Sequence, residues 1–141
     1  KESIIWESNY KEFNKNMDNP ETKKVLIVED DEFLRSLNAK RLETEGFKVV
    51  VAVDGQNAID LIPQEMPNLI FLDLLLPGID GFEVLQILKE NNIKTPVIVL
   101  TNLSQPEDEK RVKELGAVDF LIKSDTPISG VVEKIKAKLV D

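Results

Sequence analysis

From Lys24 onward, short apolar runs of strand length alternate with longer stretches whose apolar residues recur at helical spacing. Lys24–Val28 (KVLIV) is the first such run. Over Asp31–Glu45 the apolar positions Phe33, Leu34, Leu37 and Leu42 form a helical stripe, closed by Gly46. Phe47–Val53 (FKVVVAV) is rich in β-branched residues and reads as a second strand ending at Asp54-Gly55. Ala58–Ile62 predicts a short helix that Pro63 ends or kinks. Leu69–Asp73 (LIFLD) predicts a third strand, with the turn Pro77-Gly78 beyond it. A helix over Phe82–Leu88, a strand over Pro96–Leu100 and a helix over Glu107–Leu115, ended by Gly116, come next. Val118–Ile122 and Val131–Leu139 complete the series as strand and helix.

Five strands alternating with five helices imply a doubly wound α/β domain, its parallel strands joined by right-handed crossovers. The strands are nearly continuous apolar runs, as expected when helices cover both faces of a sheet. Such sheets bind ligands beyond the carboxyl ends of their strands, where the strand order reverses. The residues that end the strands are therefore the chemical candidates: Glu29, Asp30 and Asp31 after the first, Asp73 after the third, Thr101 after the fourth and Lys123 after the fifth.

Residues 1–23 stand apart from the domain over 24–141. Trp6, Tyr10, Phe13 and Met17 fall on one helical face, and Asp18-Asn19-Pro20 breaks the pattern. Two expectations follow: a loosely docked tail, or an amphipathic helix that packs on the domain, on a second copy, or continues from an upstream domain. The first residue is Lys rather than Met, which leaves an upstream segment open.

Composition narrows the chemistry. With 18 basic and 26 acidic residues the net charge is −8, which argues against direct binding to nucleic acid or an anionic membrane. No apolar run approaches the ~20 residues of a membrane span. No signal-peptide pattern is present either, so a cytoplasmic location is expected. Cys and His are both absent. That excludes thiol nucleophiles, disulfides, His-ligated zinc, Ser-His triads and a phosphohistidine carrier within this chain. Carboxylates, hydroxyls and lysines remain.

An acidic trio ahead of a helix has a plain explanation, because acids cap the free N–H groups and suit the helix dipole. The conjunction of strand ends argues for more. Two unit charges 4 Å apart repel by ~4 kcal/mol at an effective dielectric near 20, so clustered carboxylates call for a counter-ion. Oxygen ligands alone favour a hard cation, and a few carboxylates leaving room for water and phosphate favour Mg²⁺. A carboxylate can also attack phosphorus and form an aspartyl phosphate.

On VLIVEDD (25–31), LIFLDLLLPGIDGFEVL (69–85), VIVLT (97–101) and ELGAVDFLIK (114–123), the chain resembles the receiver domain of bacterial two-component response regulators. The resemblance implies a flavodoxin-like sheet of order 2-1-3-4-5. It implies that Asp73 accepts a phosphoryl group, that Asp30 ligates Mg²⁺ directly and that Glu29 does so through water. The backbone carbonyl of Leu75 would be a further ligand. Thr101 and Lys123 would hold phosphoryl oxygens, and Phe120 would be the switch aromatic. The donor would be a sensor histidine kinase or a histidine phosphotransfer domain. The face of the fourth helix, fifth strand and fifth helix, with Lys113, Asp119 and Phe120, would control an unidentified output partner or a homodimer. The chain would then be a stand-alone regulator, a phosphorelay shuttle or part of a longer protein.

Some positions depart from that pattern. Ser124 stands where most receivers have proline after the lysine, often with a cis peptide, and a cis bond before Ser would cost roughly 2.5–4 kcal/mol. The stretch Ser124-Asp125-Thr126-Pro127 is about one residue longer than usual. Asn102 replaces a small residue and narrows access to the phosphoryl group. Leu75 and Leu103 offer no polar group to orient a hydrolytic water, which predicts slow autodephosphorylation. Two other readings compete. An aspartate-nucleophile phosphatase would need a second acid where Leu75 stands. A binding module of the same fold would signal without phosphorylation.

Overall fold

The computed structural model describes residues 23–140, so the tail or amphipathic helix expected of Trp6, Tyr10, Phe13 and Met17 lies outside the described residues. The elements run β1 (Lys24–Val28), α1 (Glu32–Thr44), β2 (Lys48–Ala52), α2 (Gly55–Glu65), β3 (Leu69–Leu72), α3 (Gly81–Glu90), β4 (Val97–Thr101), α4 (Pro106–Glu114), β5 (Asp119–Ile122) and α5 (Ile128–Val140). A single 3₁₀ turn at Lys123–Asp125 joins the last two.

All strand pairs are parallel and the order is β2-β1-β3-β4-β5. Alternate side chains of each strand point to opposite faces, and the sequence fills both with apolar residues. Leu26, Val28, Ile70, Leu72, Val97 and Val99 pack on one side with Ala58 and Ile62 of α2, Val84, Leu85 and Leu88 of α3, and Val112 of α4. Val25, Ile27, Leu69, Phe71, Ile98 and Leu100 pack on the other with Leu42 of α1 and Val131, Val132 and Ile135 of α5. Burial of a large aliphatic side chain contributes ~1.5–3 kcal/mol, so this two-sided core is the main stabilising feature.

The register aligns the strand ends. Val28 pairs with Leu72, and Leu72 with Val99, so Glu29 and Asp73 leave adjacent strands at the same level. Thr101 pairs with Ile122, which brings Lys123 to the same edge. The sheet thus presents at its carboxyl edge the residues that the sequence marks.

Two local expectations change. The α2 helix runs through Pro63 and stops at Met66, whose φ of 47° is left-handed. Proline is tolerated because it falls in the last turn, where Met66 N–H still reaches the Ile62 carbonyl at 3.0 Å. On α1 the apolar stripe is only partly inward: Leu42 is buried, as is Asn38, whereas Phe33 is 73% exposed and Leu37 44%. The inward face of this helix is shorter than its apolar spacing implies.

Candidate functional site

The acidic trio divides its labour. Asp31 is the cap of α1, its carboxylate accepting the Leu34 N–H at 2.9 Å. Glu29 and Asp30 remain for other work. Glu29 is anchored through its own N–H on the Ala52 carbonyl of β2 (3.1 Å), and its Oε2 accepts the Asp31 N–H at 3.2 Å. Asp73 is anchored likewise, with its N–H on the Val28 carbonyl (3.1 Å) and its Oδ1 accepting the Leu75 N–H at 3.2 Å. Both carboxylates are almost fully buried, while Asp30 is exposed.

Lys123 joins them. Its Nζ donates to Glu29 Oε1 at 2.6 Å and to Asp73 Oδ2 at 2.7 Å. No peptide bond among the described residues is cis, and the 3₁₀ turn that starts at Lys123 carries the ammonium into the cluster with Ser124 in place. Burial alone would depress the Lys123 ammonium, but the hydrogen bonds to Asp73 and Glu29 outweigh it and hold its pKa above the ordinary lysine value. Burial likewise pushes the Glu29 carboxyl up, against the hydrogen bonds from Lys123 and the Asp31 N–H. Glu29 is thus a buried carboxylate short of positive partners.

One oxygen from each of Glu29, Asp30 and Asp73 lies within 4.8 Å of the others. Three carboxylates facing one ammonium carry a surplus of two negative charges. An all-oxygen set of this size and charge suits a hard dication, so the residues fit Mg²⁺. Thr101 is fully buried at the end of β4, and its Oγ1 accepts the Leu103 N–H at 3.3 Å. Phe120 is half-buried and packs against the core cluster that contains Val99 and Val112. Leu75 and Asn102 are exposed and Leu103 is half-buried. On the opposite flank of β5, Asp119 lies 3.8 Å from Lys134 of α5. Within α4, Lys113 pairs with Glu109 at 2.8 Å.

Arg35 is not among the residues that the sequence pattern marks. Its Nη1 donates to the carbonyls of Glu29 (3.0 Å) and Asp30 (3.3 Å), the backbone of the acidic pair. The available signal is position alone, one helical turn beyond the capping Asp31.

A family model described as the response regulator receiver domain matches residues 25–133. The chain belongs to that family, the receiver domains of two-component signalling. It is 41% identical over 108 residues to a probable transcriptional regulator, ycf27, of Guillardia theta, covering 76% of this chain and 42% of the relative. Against the transcriptional regulatory protein CpxR of Escherichia coli K12 it is 42% identical over 100 residues, covering 71% and 42%. The chain thus spans about two fifths of the length of these relatives. Among solved structures, the BeF₃-activated N-terminal receiver domain of RstA from Klebsiella pneumoniae superposes with a TM-score of 0.78 at 31% identity, covering 84% of this chain and all of that one. Among the described residues no helix is long and apolar enough to cross a membrane.

Proposed function

We propose that the chain is a phosphorylation-dependent switch that accepts a phosphoryl group on Asp73. The observation that carries this reading is the buried Asp73 carboxylate, bonded at 2.7 Å to Lys123 and flanked by two further acids within 4.8 Å. A nucleophilic oxygen, a cationic partner and an oxygen-only metal set converge there. The cytoplasm is the compartment this reading assigns.

In the transfer, an Asp73 oxygen forms a bond to phosphorus as the N–P bond of a donor phosphohistidine breaks. The imidazole nitrogen keeps the electron pair. Asp30, Glu29 through water, Asp73 and the Leu75 carbonyl would hold Mg²⁺, which neutralises phosphoryl charge when bound. Lys123 gives up its bond to Asp73 Oδ2 and turns to a phosphoryl oxygen, while the Thr101 hydroxyl takes another. The product adds ~−1.5 to −2 charges and three acceptor oxygens. Drawing Thr101 inward leaves room for Phe120, whose strand is paired with that of Thr101, and so alters the α4-β5-α5 face. A full swing of population requires ~5.5 kcal/mol, within reach of a few charge-assisted hydrogen bonds at ~1.5–3 kcal/mol each.

The donor, a sensor histidine kinase or histidine phosphotransfer domain, has an apolar approach. Leu34, Leu37, Thr126 and Val131 wall a groove of about 200 Å³ between α1 and α5 that Glu29 and Lys123 also line. The output is a partner or a second copy that reads the face bearing Lys113, Asp119 and Phe120. Leu75 and Leu103 present no polar group to a hydrolytic water, so the phosphoryl half-life with Mg²⁺ is expected to exceed minutes. A half-life of seconds would overturn that part.

The deciding experiment is incubation with acetyl phosphate or beryllofluoride and Mg²⁺, comparing wild type with Asp73→Asn. Wild type is expected to gain one phosphoryl group from acetyl phosphate, or to bind one beryllofluoride, and the variant neither, with a size-exclusion shift reporting any dimer. Equal labelling of the two proteins, or no labelling of wild type, would reject Asp73 as acceptor.

A further inference from the structure

Asp30 is the exposed member of the acidic group, and its carboxylate accepts no hydrogen bond among the described residues. Its direction therefore depends on its backbone. The two peptide planes that flank its Cα are those of the Glu29 and Asp30 carbonyls, and both carbonyls accept from the same guanidinium nitrogen of Arg35, at 3.0 and 3.3 Å. One half-buried side chain thus holds both torsions of Asp30. Its own position is defined by the first turn of α1, where Arg35 N–H reaches the Asp31 carbonyl at 2.9 Å and Asp31 caps Leu34.

We propose that Arg35 is a positioning residue for the metal site, which aims the Asp30 carboxylate by clamping the carbonyls on either side of it. The inference rests on the reading of Glu29, Asp30 and Asp73 as a Mg²⁺ set. Arg35 bonds to the backbone carbonyls of Glu29 and Asp30 and so would act through Asp30, not as a ligand itself. Its charge on its own opposes a dication, since like charges repel. Charge and clamp therefore predict opposite signs when Arg35 is removed, and that opposition makes the role testable. Groups that orient metal ligands typically change metal affinity by ~10–100-fold.

The test is calorimetric titration of the full chain with Mg²⁺ alone, for wild type, Arg35→Met and Arg35→Lys, with thermal midpoints recorded without metal. The clamp predicts that Arg35→Met binds Mg²⁺ roughly tenfold more weakly or worse. Arg35→Lys keeps the charge and loses the two-carbonyl reach, so it is expected to be weakened as well. Faster hydrogen exchange at the Asp30 and Asp31 amides without metal is expected in both variants. Unchanged or tighter Mg²⁺ binding by Arg35→Met would overturn the clamp and leave the metal set intact. Failure of wild type itself to bind Mg²⁺ would overturn the metal reading. If Arg35→Met is unfolded without metal, Arg35→Lys decides: affinity equal to wild type overturns the clamp, and weaker binding with an unchanged thermal midpoint supports it.

Discussion

The β3–α3 and β5–α5 units are built on the same strand-then-helix plan and both deliver a residue to the site, yet they are packed differently. Every residue of β3 is buried, and Asp73 follows directly. The return into α3 is so close that a Cβ on Gly81 would lie 2.5 Å from the Asp73 carbonyl oxygen and 2.6 Å from Leu74 Cα. By contrast β5 is an edge strand, paired among the described strands with β4 alone, and all four of its residues are half-buried. Lys123 follows this strand directly and opens the 3₁₀ turn that leads on to α5. The physical lesson is that the proposed acceptor sits on the more deeply buried unit, while Phe120 and Lys123 sit on the one whose strand is half-buried. Local opening draws on such under-packed regions.

The largest effect that tests this contrast uses one residue type in both places. Phe71 is 3% exposed within β3, so Phe71→Ala is expected to cost about 3–5 kcal/mol in urea unfolding. Phe120 is half-buried in β5, and Phe120→Ala is expected to cost less than half of that, roughly 1–2 kcal/mol. Equal losses would show that the two units are packed alike and remove the basis of the comparison.

Glycine gives a contrast in sign. Gly81→Ala must displace backbone on both sides and is expected to cost about 3 kcal/mol, the upper end for overpacking. Gly130 on α5 has no atom closer than 3.8 Å to an added Cβ. Gly130→Ala is therefore expected to stabilise the fold by about 0.5–1 kcal/mol through helix propensity. Thermal midpoints moving in the same direction would contradict this reading.

The tight unit was also the legible one. Leu69–Asp73 with Pro77-Gly78 predicts strand and turn because burial on both faces leaves a continuous apolar run that periodicity reads directly, while the acceptor role expected of Asp73 comes from the family resemblance. The five strands and their order follow from the same signal and from the family resemblance. Packing depth did not: FLIK at 120–123 is as apolar as a core strand, and nothing local says that it lies at an edge. The α1 stripe shows the same gap, since Phe33 and Leu37 have core spacing yet are 73% and 44% exposed. Within the site, Glu29, Asp30, Thr101 and Lys123 are legible as strand ends. The bridge from Lys123 to both acids and the reach of Arg35 to two carbonyls depend on side-chain paths that spacing does not encode.

Lys123 is the bond between the two units, and its loss is expected to be intermediate in size. Lys123→Met leaves the buried carboxylates of Glu29 and Asp73 facing each other without an ammonium, at a cost of about 2 kcal/mol near neutral pH. The pH dependence has a definite sign. The folded-state pKa of Lys123 is raised, because its carboxylate hydrogen bonds outweigh burial. Its stabilisation is therefore complete below the unfolded lysine value of ~10.4 and is lost as pH rises through the higher folded value. The wild-type advantage over Lys123→Met in unfolding free energy is expected to stay level from neutral pH to about pH 10 and to shrink above it. A constant difference across the alkaline limb would mean that the ammonium contributes packing rather than charge.

The smallest expected effect concerns the contact between the acceptor unit and the helix preceding β5. Arg111 of α4 places its guanidinium carbon 4.1 Å from the ring centroid of Phe82, the residue after Gly81. Cation–π pairs at exposed sites contribute about 0.5–1 kcal/mol, and Arg111 is exposed at the surface while Phe82 is buried beneath it. Arg111→Gln should therefore lower stability by about 0.5 kcal/mol, and Arg111→Lys by less, because an ammonium keeps the charge but not the stacking plane. A double-mutant cycle with Phe82→Leu isolates the pair from the burial of the ring. Coupling of about half a kilocalorie or more means that α4 is tied to the more deeply buried unit as well as to β5, so that a movement of the proposed output face would strain this pair. Zero coupling means that α4 moves freely with the loose unit, and that Lys123 is the side-chain link that matters between the two.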